Sequence, residues 1–384
     1  MEKILFTCLS AAAIALTGCG QAAQQASSEP IESRTGFALA LFRNTVASQD
    51  KDANVLVSPF SAGTALSMLA EGAEGQTREE LVSAMGGQLF PGDLLAVDTI
   101  ADVRSANSAW LRSGFHVKDT YSSLLEQTYG AMIAEKDFSS PQTVDAINSW
   151  CSENTEGRIT EIVDQISPDM MLFLVNALYF KAPWQNEFNP AVTADRTFHG
   201  SAGDKQVPMM TMTKHLSYAE ADGSQLVELP YKGGRYSMLV MLPQSGLSID
   251  DVVAGLSEQN FRTALDMLGR RKVHLTLPRF KFDTDLVLNS ILMEMGVKKV
   301  FSASAELDGI SDARICVDQV RQKCFIEVNE EGSEAAAVTS IGLKLTSAPT
   351  FEPIVEMNVD RPFLFAIADR TSDNILFIGR VMNI

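Results

Sequence analysis

Histidine, cysteine, serine and paired carboxylates are the side chains best able to carry catalysis or hold a metal. In this chain none of them is spaced for either. The four histidines are His116, His199, His215 and His274. None has a neighbour at metal-ligand spacing, and a metal site needs several ligands. They are expected to be packing or surface residues. There is no Gly-x-Ser-x-Gly elbow and no glycine loop that could cradle a phosphate. Gly309-Ile310-Ser311 lacks the strand–turn–helix setting of a nucleophile. The paired acids Glu79-Glu80 and Glu330-Glu331 read as a helix cap and as part of a hinge. The expectation is therefore no enzyme, no metal and no cofactor.

The chemistry that remains is conformational. Glu330-Glu331-Gly332-Ser333-Glu334-Ala335-Ala336-Ala337-Val338-Thr339 follows the apolar, strand-like run Cys324–Val328. Small residues in a row suit a close approach of backbone to backbone. A period of two continues to Leu343, with Ser333, Ala335, Ala337, Thr339, Ile341 and Leu343 on one face. Glu334, Ala336, Val338, Ser340, Gly342 and Lys344 lie on the other. That alternation fits a half-buried strand. The same composition also fits a plain Gly/Ala-rich connection between two elements. A segment able to be either exposed loop or central strand is a candidate switch.

Around this segment, 384 residues with 46% hydrophobic content can bury a large core. No linker or internal repeat divides the chain after residue 35, which favours one large domain. A net charge of −17 argues against nucleic acid, whose phosphates demand a basic face. Of the five cysteines, Cys8 and Cys19 lie near the start; Cys151, Cys316 and Cys324 remain, an odd number. Sequence alone leaves a Cys316–Cys324 bridge open.

The element pattern places helices early and strands late, which reads as α+β. Helices are expected over Phe37–Ser48, Ser61–Ala70 and Val144–Asn154. Thr77-Arg-Glu-Glu80 has capping-box spacing, with Thr77 as N-cap. Strands are expected over Val55–Val57, Ala106–Leu111 and Met171–Phe180, the last buried on both faces. Further strands are Leu226–Leu229, Tyr236–Leu242, Val273–Phe282, Phe325–Val328, Phe363–Asp369 and Ile375–Val381. Asp285–Met295 reads as a helix stopped by Gly296.

Glu330–Thr339 resembles the hinge of the reactive-centre loop in inhibitory serpins. Other stretches resemble the same family in the same order: Asn54–Ser61, Leu174–Trp184, Leu277-Pro-Arg-Phe280, Arg361–Phe365 and Phe377–Arg380. The resemblance implies a large central sheet A, two smaller sheets, about nine helices and an exposed loop at about 330–352. It also implies a suicide-substrate inhibitor of serine proteases. The loop is cut, inserts into the sheet as a new strand, and carries the acylated protease with it. Loop length puts the cut at Thr346-Ser347, which suits elastase-like enzymes. Cuts after Lys344 or Leu345 would suit trypsin-like and chymotrypsin- or subtilisin-like ones, and papain-like proteases are a further target class. Ser58, Ser61 and Asn176 match the family's polar shutter, with Gln322 where a His is frequent. Trp184 matches the breach at the top of the sheet, and Arg279 with Glu330 matches an ion pair at the entry point. The alternative within the family is a non-inhibitory binding protein or chaperone.

Lys3 and the apolar run Ile4–Leu16 have the form of a secretory signal. Leu16-Thr17-Gly18-Cys19 resembles a bacterial lipoprotein box, with an ordinary signal peptide as the alternative. The expected organisation is a signal peptide over 1–18, a flexible tether over 19–35 after a lipidated Cys19, and a single domain over 36–384. This reading places a monomer on the bacterial cell envelope, held to the membrane only through the lipid.

Overall fold

The computed structural model describes residues 31–90, 100–333, 352–372 and 374–384. Among them are eight α-helices: α1 (Arg34–Ser48), α2 (Pro59–Glu71), α3 (Gly75–Ala84), α4 (Asp119–Tyr129), α5 (Pro141–Asn154), α6 (Ile249–Ala254), α7 (Glu258–Asp266) and α8 (Asn289–Glu294). The strands are β1 (Val55–Val57), β2 (Asp102–Arg112), β3 (Met132–Lys136), β4 (Leu172–Pro183), β5 (Ala194–Gly200), β6 (Gly203–Ala221), β7 (Ser224–Pro230) and β8 (Tyr236–Pro243). They continue with β9 (Gly269–Pro278), β10 (Phe280–Val287), β11 (Arg321–Val328), β12 (Gly332–Ser333), β13 (Ile354–Asn358), β14 (Phe363–Asp369) and β15 (Ile375–Val381).

Hydrogen bonding joins these strands into two sheets. A nine-stranded sheet runs β1-β15-β14-β8-β7-β6-β9-β13, with β5 also paired to β6. The 19-residue β6 makes it continuous, because it pairs β9 over Met209–Tyr218, β5 over Gly203–Met209 and β7 over Ser217–Ala221. A six-stranded sheet runs β10-β11-β12-β4-β2-β3. The hinge belongs to this second sheet.

The most deeply seated strands are those whose sequence is mostly apolar, such as β8, β14 and β15. Every residue of β15 is buried, as befits a strand covered on both faces. A Cβ at Gly379 would meet the Phe365 ring at 2.6 Å, so no larger residue fits there. Helix α2 is buried along almost its whole length and starts on Ser58, whose Oγ accepts from the Ser61 N–H at 3.2 Å. A separate apolar cluster, including Trp110, Ile147, Cys151 and Phe173, fills the space between α5 and the outer face of β2 and β4.

Several expectations are corrected. Val273–Phe282 is not one strand. It breaks at Pro278-Arg279 into β9 and β10, which belong to different sheets, and the Arg279 N–H turns to the Pro208 carbonyl at 2.9 Å. Asp285–Val287 continues β10, so the helix before Gly296 is confined to α8. Thr77 does not cap α3, which begins at Gly75. Its hydroxyl instead accepts from the Glu306 N–H at 2.9 Å, and Glu80 accepts from the N–H groups of Lys298 and Lys299 at 2.8 and 2.7 Å. Thr77 and Glu80 thus reach across to the segment at 298–306, while Glu80 also accepts from Gln76 Nε2 of its own helix at 2.9 Å. The first half of β4 is only half-buried at alternate residues. Cys151, Cys316 and Cys324 are all free, so no Cys316–Cys324 bridge forms. Burial pushes the Cys151 and Cys324 thiols up to about 12, which leaves them unreactive at neutral pH.

Candidate functional site

The hinge begins inside the six-stranded sheet. Ser333 lies opposite Val328 of β11 on one side and Ala182 of β4 on the other, and Gly332 lies opposite Pro183. Both pairings are antiparallel, so β11 and β4 run parallel to each other with β12 between them. Among the described residues no ladder joins β11 directly to β4. Among the described residues, Gly332 and Ser333 are the ladder that joins the halves of this sheet.

Asn329 forms the turn into β12. Its Oδ1 accepts from the N–H groups of Glu331 and Gly332 at 3.0 and 3.2 Å. Gly332 is required by space, since a Cβ there would lie 2.1 Å from the Ala182 carbonyl oxygen. Ser333 is 1% exposed, and its Oγ lies 2.6 Å from the Tyr231 hydroxyl. Tyr231 stacks on Trp184 with ring centres 4.5 Å apart. Trp184 Nε1 donates to the Asn329 carbonyl at 2.9 Å, and its backbone N–H donates to Glu331 at 2.8 Å. Trp184, Tyr231, Asn329 and Ser333 thus close on one another at the top of the slot.

Glu330 is buried, yet its carboxylate is fully engaged. Arg279 Nε donates to its two oxygens at 2.8 and 2.7 Å and Nη2 donates at 2.5 Å; Thr193 Oγ1 adds a bond at 2.6 Å. Burial alone would raise its pKa. The bonds from Arg279 and Thr193 outweigh that and hold it below the usual carboxylate range.

Lower down, Gln322 of β11 pairs with the backbone of Ser58 in both directions. Its Oε1 accepts from the Ser58 N–H at 2.9 Å and its Nε2 donates to the Ser58 carbonyl at 2.8 Å. The Ser58 hydroxyl donates to the Leu376 carbonyl at 2.7 Å. Ser58, Ser61 and Gln322 therefore meet where α2 begins. Asn176 does not join them. It donates to Asn107 Oδ1 at 2.5 Å and Ser105 Oγ at 3.1 Å, and its own Oδ1 is buried without a partner. Glu334, Ala335, Ala336, Ala337, Val338, Thr339, Lys344, Leu345, Thr346, Ser347 and Cys19 lie outside the described residues.

Charged groups cover the outer face of the gap. Arg158, just past α5, lies over the Phe325 ring with its guanidinium carbon 5.5 Å from the ring centre. Lys281 Nζ is also 5.5 Å from that centre. Both cations reach Glu327, at 3.7 and 3.5 Å. Beneath them a cavity of about 10 Å³ is bounded by Leu178, Tyr179 and Phe180 of β4 and by Phe325 and Ile326 of β11. It could hold a water but no side chain. The roles of Tyr231, Asn329 and Thr193 escape a sequence reading. Only Asn329, a turn former directly before Glu330, carries any local signal.

Comparison with known proteins agrees with this geometry. The family model described as serpin (serine protease inhibitor) matches residues 32–384. An uncharacterized serpin-like protein of Thermococcus kodakarensis is 36% identical over 348 residues, covering 86% of this chain and 80% of that protein. The leukocyte elastase inhibitor of Sus scrofa is 34% identical, covering 90% and 97%. The crystal structure of the thermophilic serpin tengpin in its native state superposes with a TM-score of 0.83 at 28% identity, covering 92% of this chain and 94% of that one.

The Glu330 contacts predict an acid-sensitive hinge. A depressed carboxylate pKa contributes stability above the ordinary carboxylate range, and that stability is lost as pH falls through the depressed value. The protection of the Phe188 amide against hydrogen exchange, relative to its unfolded rate, should be lost as pH falls through the depressed Glu330 value; that amide donates to the Glu330 carbonyl at 2.9 Å. In Glu330→Gln that protection should be low and without an acid step. An acid step that persists unchanged in the variant contradicts the assignment.

Proposed function

The chain belongs to the serpin family, and on that premise we propose that it is an inhibitory member that traps proteases by inserting its cut loop between β11 and β4. One observation carries the reading: Gly332 and Ser333 already occupy the central position of the six-stranded sheet. Continued in the same register, residues 334–340 would lie opposite 327–321 of β11 and 181–175 of β4. Ala335 would then enter between Ile326 and Phe180, and Ala337 between Cys324 and Leu178. Both rows are buried and apolar, and both entrants are small. Thr339 would arrive between Gln322 and Asn176, within reach of the buried Asn176 Oδ1 that lacks a partner.

The driving force is the ladder that the two parallel strands do not make with each other. Roughly a dozen backbone bonds at about 0.5–1.5 kcal/mol each would favour the inserted state by roughly 10 kcal/mol. The uninserted form is then held by kinetics. The outer face must also yield, because Ala336 would pass between Phe325 and Tyr179, under the Arg158 side chain. The small, uncharged Ala335–Ala337 run supports inhibition over the binding-protein alternative.

The reading includes a cut at Thr346-Ser347 by elastase-like proteases, with Lys344 and Leu345 as secondary positions, and a lipid tether at Cys19 on a bacterial envelope. The leukocyte elastase inhibitor among the relatives supports the elastase-like class. The lipoprotein box supports the tether, and mass measurement of the N-terminal peptide tests it. Acyl groups on Cys19 are expected; an unmodified Cys19, or a mature chain starting elsewhere, refutes the tether.

Incubation with a panel of elastase-, trypsin-, chymotrypsin-, subtilisin- and papain-like enzymes tests inhibition. A covalent complex that survives SDS is expected, and its absence with every enzyme contradicts the proposal. Ala335→Arg should abolish that complex while the loop is still cut. An unpaired buried charge costs at least about 3 kcal/mol and slows insertion by about a hundredfold. The peptide released by an elastase-like enzyme should begin at Ser347. One beginning outside residues 345–347 shows that the loop is read in a different frame.

A further inference from the structure

A cleft of about 480 Å³ opens beside the hinge, where the two sheets meet. Gln185 and Asn186, which follow Trp184 at the end of β4, form one wall. Lys214, His215 and Ser217 of β6 and Arg270 of β9 form the other. All six side chains carry hydrogen-bond donors, and among the described lining residues there is no carboxylate. Ser217 lies directly opposite Arg270, and His215 opposite Lys272, so the basic residues gather along neighbouring strands.

These donors are unspent. Among the described residues, the side chains of Gln185, Asn186, Lys214 and Arg270 have no hydrogen-bond or ion-pair partner within the chain. His215 alone is engaged, with Nε2 2.9 Å from Glu352 Oε2. In a chain of net charge −17, cations would be expected to find carboxylates. Apart from Glu352 on His215, the described lining offers unpaired cations and amides, an arrangement complementary to an anion from outside. An apolar ligand would leave the same donors unsatisfied, at a cost.

We propose that this cleft binds a multivalent oxyanion of the polyphosphate or polycarboxylate class. The donors come from both sheets and line a space larger than one small monovalent ion fills. An anion with several oxygens can take charge-assisted bonds from Lys214 and Arg270 on one wall and amide bonds from Gln185 and Asn186 on the other. Bound in this way it ties the end of β4 to β6 and β9, beside the stacked pair Trp184 and Tyr231. Because it contacts both sheets only while they keep this arrangement, it stabilises the closed top of the slot by mass action. The site does not depend on whether the loop traps a protease.

Titration calorimetry and thermal melting test the site, with inorganic pyrophosphate and a tricarboxylate as probes and sodium chloride and acetate as controls at equal ionic strength. At least one multivalent probe should bind with a single-site isotherm and raise the melting temperature beyond both controls. Tighter binding of pyrophosphate assigns the phosphate class, and tighter binding of the tricarboxylate assigns the carboxylate class. Lys214→Gln/Arg270→Gln should weaken binding at least about tenfold, the loss of one charge-assisted bond or more. Lys205→Gln, an exposed change elsewhere on β6, should leave binding intact. The proposal is overturned if neither probe exceeds the salt controls, if the double variant binds as tightly as the wild type, or if Lys205→Gln weakens binding as much.

Discussion

The structure turns on two parallel strands, β4 and β11, that share a sheet and, among the described residues, touch its ladder only through Gly332 and Ser333. Backbone N–H and C=O groups along a strand need partners, and among the described residues β4 and β11 supply none to each other. A chain segment that runs antiparallel to both strands satisfies both at once. Gly332 and Ser333 do so already, and the residues that follow are small enough to continue.

Three sets of contacts hold the gap in its present form. At the top, Arg279 and Thr193 fix Glu330, and the stack of Trp184 on Tyr231 fixes Ser333. Lower down, the amide of Gln322 fixes β11 to the start of α2 through Ser58. On the outer face, Arg158 and Lys281 bracket Phe325 and share Glu327. In the first set Glu330, Trp184, Tyr231 and Ser333 are buried although Arg279 is partly exposed, so removing a partner leaves a buried carboxylate or hydroxyl unpaired, which is costly. The third is partly exposed and worth little by comparison. Opening is therefore easier along the outer face than at the top, where the hinge is rooted.

Much of the fold was legible where apolar runs are bounded by turn residues. Phe363–Asp369 and Ile375–Val381 are strands with the expected limits, because each is built on an apolar run of four or more residues between polar turns. Legibility failed where a pattern crossed a structural boundary. The alternation from Val273 to Phe282 does not register that Pro278-Arg279 passes from one sheet to the other. Strand β6 was missed because its Met, Thr and Lys residues show no clean period. The spacing of Thr77 and Glu80 imitates a cap, although both side chains reach across to the segment at 298–306. In the site, the small-residue hinge is a local signal and could be read. Contacts such as Tyr231 with Ser333, 102 residues apart, leave no trace in spacing.

The most direct measurement compares the melting temperature of the intact protein with that of the protein cut once in the loop. If the loop completes the ladder between β11 and β4, the cut form gains bonds and buried area that the intact form lacks. Its melting temperature should rise by roughly 10–15 °C, the shift that roughly 10 kcal/mol gives against the unfolding entropy of a domain this size. Equal melting temperatures would show that the strands do not admit the loop, and the account of the gap would be wrong.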